Sequence, residues 1–351
     1  MDQRVKPAPH EIRTARKENP KMRERDLALQ LGISEAELVA AHCGDAVRRI
    51  EPRVNDLLSG MEAVGEVMAL TRNDSAVHEK IGVYDRVITG NCNAMVLGED
   101  IDLRVFPKVW AHGFAVAKQD GDEVRRSLQF FDDAGDAVHK IHLRPASSLD
   151  AYHELVERLL SADQSPVVVL NRFEEKPAPN GSGSASDLRE RWGRMTDVHQ
   201  FFGILEALNL SRHQAVNMVG QDYAWRLTGE ALPAMLLNAA SGDMPVMCFV
   251  GNRGCIQIHS GPVRKIKTMG PWLNVLDETF HLHLRTDHVR EFWAVRKPTK
   301  DGHVTSIEAY GADREMIIQF FGKRHEGEAE RDDWRSLAET LPRAAALAVA
   351  G

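Results

Sequence analysis

His199 is the residue in this sequence whose type and surroundings best suit metal chemistry. It falls in the first turn of a helix expected to be capped by Thr196, off the main apolar stripe Val198, Phe201, Phe202, Leu205 and Leu208. A helix N-terminus disfavours positive charge, which favours the neutral imidazole that binds a metal. Gly203 lies one turn on along the same face. An interior helix glycine costs about 1 kcal/mol against alanine, a cost that makes sense if something broad and flat lies against the helix. Read from the residues alone, a capping or core histidine remains the plainer account.

Other candidates are weaker. His281, His283 and His288 suggest a metal site, because residues i and i+2 of a strand share a face. Their only neighbouring carboxylate, Asp287, lies beyond the strand, so exposed strand histidines are the expectation. Cys43, Cys92, Cys248 and Cys255 show neither zinc-ligand spacing nor a disulfide framework, and read as buried reduced thiols in a cytoplasmic protein. No GxGxxG follows a strand, and neither a Walker loop nor a GxSxG elbow occurs. Residues 27–38 have the pattern of a helix-turn-helix, but the second helix would open Ser34-Glu35-Ala36-Glu37, which repels phosphate. A capped structural helix pair is expected there.

The elements that position these residues repeat. A shift of 177 sets Leu31–Val39 against Leu208–Val216 and pairs Asp45 with Asp222 and Arg49 with Arg226. A shift of 179 carries Ile101–Arg144 onto Phe280–Lys323 without a gap. Each copy opens helical and closes as strands. Ser211 and Gln214 form a capping-box pattern, Phe280–Arg285 alternates apolar and polar residues, and Asp120-Gly121 and Asp301-Gly302 read as hairpin turns. The fold class is therefore α+β, a tandem duplication in which each repeat is a large antiparallel β-sheet with flanking helices. The expected boundaries are an N-terminal tail at 1–20, a first repeat at 21–172, a linker at 173–190, a second repeat at 191–342 and a C-terminal tail at 343–351. The linker rests on the Pro, Gly and Ser content of Lys176–Ser186.

Composition narrows the class. The chain has 351 residues, 43% apolar and 27% charged, with a net charge of −7 from 44 basic and 51 acidic residues. That balance argues against nucleic-acid binding. No apolar run approaches the roughly 20 residues of a membrane helix, and the first residues have no apolar core for a secretion signal.

Several long motifs resemble those of the HmuS/HemS family of cytoplasmic haem-utilisation proteins, also called haemin-degrading factors. They are Trp192–Phe202 with Leu210–Ala215, Val67–Gly82, Asp102–Phe106, Val295–Thr299 and Gln319–Arg324. The resemblance covers nearly the whole chain and implies one haem enclosed by the two repeats. It makes His199 the proximal iron ligand, places Arg104 and Phe106 on the opposite haem face with Phe249 nearby, and sets Arg212, Lys297, Gln319 and Arg324 near the propionates. A haem needs one neutral nitrogen for iron, apolar walls and cations for its carboxylates. Where some relatives carry a tyrosine before the glutamine of Gln-Phe-Phe-Gly, this chain has Ile318, and Tyr310 is the candidate substitute. Met22 stands opposite His199 in the first repeat, so a second haem ligand, if there is one, would be His78.

The function implied is to receive imported haem and traffic it, degrade it to release iron, or both. Carrier and haem oxygenase-like enzyme are both open, because Arg104 could serve catalysis or ease release. A haem-responsive regulator is disfavoured by the acidic helix. The partners implied are haem, an inner-membrane haem importer, and a downstream haem oxygenase or storage protein.

Overall fold

In a computed structural model of the chain, residues 6–171, 179, 181, 183–325 and 327–345 are described. Most of the Pro/Gly/Ser linker lies outside them. In chain order the first half contains α1 (Pro9–Glu18), α2 (Glu24–Leu31), α3 (Glu35–Ala40), β1 (Val47–Ile50), α4 (Val54–Val64), β2 (Val67–Arg72), β3 (Ala76–Gly82), β4 (Val87–Ile88), β5 (Ala94–Leu97), β6 (Asp102–Val105), β7 (His112–Asp120), β8 (Glu123–Phe131), β9 (Ala137–Leu143) and α5 (Leu149–Leu159). The second half runs α6 (Ala185–Gly193), α7 (Gln200–Leu208), α8 (Arg212–Met218), β10 (Ala224–Leu227), α9 (Ala231–Ser241), β11 (Val246–Gly251), β12 (Cys255–Gly261), β13 (Ile266–Met269), β14 (Trp272–Leu276), β15 (Phe280–Arg285), β16 (Glu291–Thr299), β17 (Gly302–Tyr310), β18 (Met316–Gly322) and α10 (Asp332–Thr340). The order of helices and strands is the same in both, as the internal repeat requires.

Two compact units form. Among the described residues, the first takes 6–72, 79–171 and 251–257, and the second takes 73–78, 179, 181, 183–250, 258–325 and 327–345. In the first, β1, β7, β8, β9 and β2 pair antiparallel in that order, and β4, β5 and β6 form a meander. In the second, β10, β16, β17, β18 and β11 pair in the same way, with β13, β14 and β15 as the meander. The β7–β8 and β16–β17 hairpins turn at the expected Asp-Gly positions, where Gly121 and Gly302 take φ of +62° and +115°. Helix α1 lies inside the segment read as a tail and buries Ile12 against Leu27 and Leu38. Helix α6 begins inside the segment read as linker.

The second unit's sheet has two unlike faces, because side chains alternate along each strand. Trp225, Phe292, Ile307, Ile318 and Phe320 face α9 and α10, where they pack on Met235, Leu236 and Trp334. On the other face, Trp293, Val295 and Tyr310 pack with Trp192, Phe201, Leu205 and Val216 of α6–α8. Helix α3 is capped by Ser34 in a capping box with Glu37, and Glu35 turns onto Lys140. The helix-turn-helix pattern is thus structural. The thiol expectation needs one correction. All four cysteines are free and Cys248 and Cys255 are buried, but Cys43 is half-buried and Cys92 is exposed.

Candidate functional site

Helix α7 starts three residues later than a Thr196 cap would require. His199 itself occupies the N-cap position, and Gln200 Oε1 accepts from the Thr196 amide at 2.9 Å. Asp197 organises the turn. Its Oδ1 accepts from the His199 amide at 2.7 Å and lies 2.7 Å from His199 Nδ1. The His199 amide and ring N–H together hold the Asp197 carboxyl below its usual range. An ionised carboxylate at Nδ1 fixes the proton there, which leaves Nε2 as the free lone pair. Among the described residues nothing hydrogen-bonds Nε2, and the side chain is 79% exposed.

The surface beside this ring is open. A Cβ added at Gly203 would meet nothing within 4 Å. Phe202, expected on the buried stripe, is 63% exposed next to it, while Phe201, Leu205 and Leu208 are buried. Alanine at 203 should therefore stabilise the free protein by about 0.5–1 kcal/mol, read from its urea midpoint. If a flat ligand covers this face, the same change should weaken ligand binding. A variant that gains stability at unchanged affinity would argue that nothing lies over Gly203.

Three of the four residues expected to meet propionates, Arg212, Lys297 and Gln319, converge on one buried group that the sequence reading missed. Glu308, on β17, is fully buried. Arg212 grips it through Nε at 2.9 Å and Nη2 at 2.7 Å. Gln319 Nε2 donates at 2.8 Å, Ser306 Oγ at 2.7 Å and Tyr310 Oη at 2.5 Å, and Lys297 Nζ stands 3.4 Å away. Gln319 is the cross-strand partner of both Glu308 and Phe249, and Phe249 packs edge-on against Phe321. Burial alone would raise the Glu308 carboxyl, but Arg212 and Lys297 hold it well below its usual range. Burial also pushes Lys297 down to about 8, with Glu308 partly offsetting and Arg212 adding to the shift. Both cations lie over the Phe201 ring, Lys297 at 4.8 Å and Arg212 at 5.3 Å.

Several expected residues sit elsewhere. Arg324 donates to the Glu328 carbonyl at 2.8 Å and makes no recorded bond to this array. Tyr310 does not stand free to replace the tyrosine absent at 318, because its hydroxyl is committed to Glu308, and Ile318 lies in the core on the opposite face. Arg104, in the other unit, pairs with Asp102 two residues back on β6, and the half-buried Phe106 donates its amide to Gly254. His78 is fully buried with its ring 4.9 Å from Phe280, unlike the exposed His199. His281 and His283 of β15, and His288 in the turn that follows it, are half-buried rather than exposed. His283 Nδ1 meets Asn274 and His288 Nδ1 meets Ser75, and no group of three or more metal-ligating side chains occurs among the described residues.

The first unit provides an internal contrast. At the positions equivalent to His199, Arg212, Lys297, Glu308 and Gln319 it carries Met22, Glu35, Lys118, Gln129 and Lys140. Lys140 pairs with Glu35 and, at 3.6 Å, with Glu24, and Lys118 is 4.0 Å from Glu24. Two carboxylates there face two ammonium groups, with Arg16, Arg72 and the His142 imidazole close enough to act on them electrostatically. The second unit keeps two cations on one carboxylate.

Residues 32–159 and 209–341 each match the haemin-degrading HemS.ChuX domain. The chain is 38% identical over 322 residues to the hemin transport protein HmuS of Yersinia pestis, covering 92% of this chain and 93% of that one. Holo-PhuS, a heme-binding protein from Pseudomonas aeruginosa, superposes with a TM-score of 0.93 at 42% identity, covering 96% of this chain and all of that one. ChuS, an E. coli heme oxygenase, gives 0.84 at 36% identity, covering 93% and 98%. The chain belongs to the haemin-degrading HemS.ChuX domain family and carries its domain twice.

Proposed function

We propose that this protein binds haem through the second unit, with His199 Nε2 on the iron and the Arg212–Lys297 array on a propionate, and that it receives haem and hands it on. The observation that carries this reading is the Asp197–His199 pair. An exposed imidazole whose Nδ1 is tied to a carboxylate has one basic nitrogen left and an open, partly aromatic surface beside it. The arrangement fits a haem because a nitrogen donor, an open helix face at Gly203 and surplus cationic donors occur in one unit.

Phe249 and Gln319 belong to this proposal through their place beside Glu308. Arg104, Phe106 and Arg324 belong to it through the family's pattern. His78 is the proposed ligand of a second site only if its strand opens. Iron protoporphyrin would supply the redox chemistry when bound, and the chain's own residues hold and orient it. A cytoplasmic setting, with an importer as donor and an oxygenase or storage protein as acceptor, completes the proposal. Four free cysteines support a reducing compartment, and among the described residues no helix is long and apolar enough to cross a membrane.

The second reading, a haem-degrading enzyme, is favoured by the likeness to ChuS. One experiment separates the two. The protein is loaded with haem anaerobically, then given oxygen and a reductant with catalase present to remove free peroxide. A Soret band that persists until an acceptor protein is added supports the carrier. Loss of that band with a stoichiometric tetrapyrrole product establishes the enzyme.

A further inference from the structure

Six polar contacts from five residues converge on the two oxygens of Glu308, four of them on Oε1. A carboxylate offers about four lone-pair positions in all, so the donors here exceed what one carboxylate can accept. Lys297 is the least engaged. Its ammonium carries three N–H groups and makes a single long contact of 3.4 Å. The charges do not cancel either, since Arg212 and Lys297 face one carboxylate.

We propose that Glu308 is a positioning residue for the anionic end of the ligand. Its buried carboxylate holds Arg212, Lys297 and Gln319 as one array that carries a single net positive charge and spare N–H donors. The array accepts one further carboxylate. This deepens the haem-binding reading and rests on it for the ligand's identity.

Uptake is then coupled to a proton through Lys297. The charged groups around its ammonium are Glu308 on β17 and Arg212 on α8. Beyond them lie Tyr310 of β17, and His213 of α8 paired at 3.2 Å with Glu291 of β16. The facing residue of α7 is the uncharged Phe201, and that of β18 is the uncharged Gln319. Burial pushes the Lys297 ammonium down to about 8, against the opposing pull of Glu308. A ligand carboxylate favours the charged ammonium, so binding draws a proton in and affinity falls as pH rises past that point.

Iron-free protoporphyrin IX tests this without the iron–histidine bond. Its binding is followed by fluorescence quenching between pH 6 and 9.5 in the full chain. Wild-type affinity is expected to fall about tenfold or more across pH 8, as one charge-assisted contact is lost. In Glu308→Gln, Lys297 keeps its repulsion from Arg212 and loses its counter-charge. The fall should then move down by about one pH unit or more. Lys297→Gln, the second variant in case the first does not fold, should bind weakly with no such step. An unmoved step in Glu308→Gln, an unchanged profile in Lys297→Gln, or no binding of the iron-free porphyrin by wild type would each overturn the proposal. The probe carries no iron, so this assay does not depend on the iron-ligand assignment, and an error in that assignment shows only in haem spectra.

Discussion

Arg212→Ala is expected to lower stability by about 3–5 kcal/mol, because it strips the bidentate partner from a fully buried carboxylate. Arg212 stands at the first position of α8, where a cation gains nothing from the helix dipole, so its place there depends on Glu308. The loss should appear as a lower urea midpoint at an unchanged slope. Haem affinity should fall roughly ten- to a hundred-fold with it, the worth of a charge-assisted contact. The Soret position of the protein that still binds should not change, because the iron ligand is untouched. Adding Glu308→Gln to Arg212→Ala should recover much of the stability, since the uncompensated charge is then gone. Arg324→Ala, outside the array, should move stability by less than about 0.5 kcal/mol. A similar loss from both arginines would contradict the buried-charge account.

His199→Ala should remove the strongest single bond to the ligand. Ferric haem is expected to bind the variant more weakly and with a displaced Soret band, held by the cationic array alone. Asp197→Asn keeps the ring and weakens the carboxylate that polarises it. Loss of such an outer partner typically costs 10- to 100-fold in metal affinity, so this variant should fall between wild type and His199→Ala. Equal spectra in all three proteins would remove the Asp197–His199 pair from the site.

The parts of this fold that were legible are those that rest on local pattern. The two hairpins follow from Asp-Gly pairs with strand-like flanks, and the α8 cap from Ser211 with Gln214. The duplication followed from registering one half on the other. His199 and Gly203 could be paired because helical spacing is short-range. Asp197 could have been found in the same way, since an aspartate two residues before a histidine is a common side-chain turn. Glu308 could not. Its partners lie 96 residues away on α8 and 11 away on two neighbouring strands, and only the sheet register brings them together. Ser306, Glu308 and Tyr310 alternate with Ile307 and Ala309, and nothing in that alternation says that both faces of the strand are buried. Phe202 is a local error. On a nine-residue helix an apolar residue beside the stripe looks buried until the neighbouring surface proves open.

The most direct test of the central claim is resonance Raman spectroscopy of the ferrous haem complex, in wild type and in His199→Gly with and without added imidazole. Wild type should show an iron–histidine stretch, raised by the Asp197 hydrogen bond. His199→Gly should lack it, and imidazole should restore an iron–nitrogen stretch that shifts when the added imidazole is isotopically labelled. Glycine at 78, 213 or 281 should leave the wild-type band in place. A His199→Gly protein that keeps the wild-type stretch without imidazole would contradict the assignment.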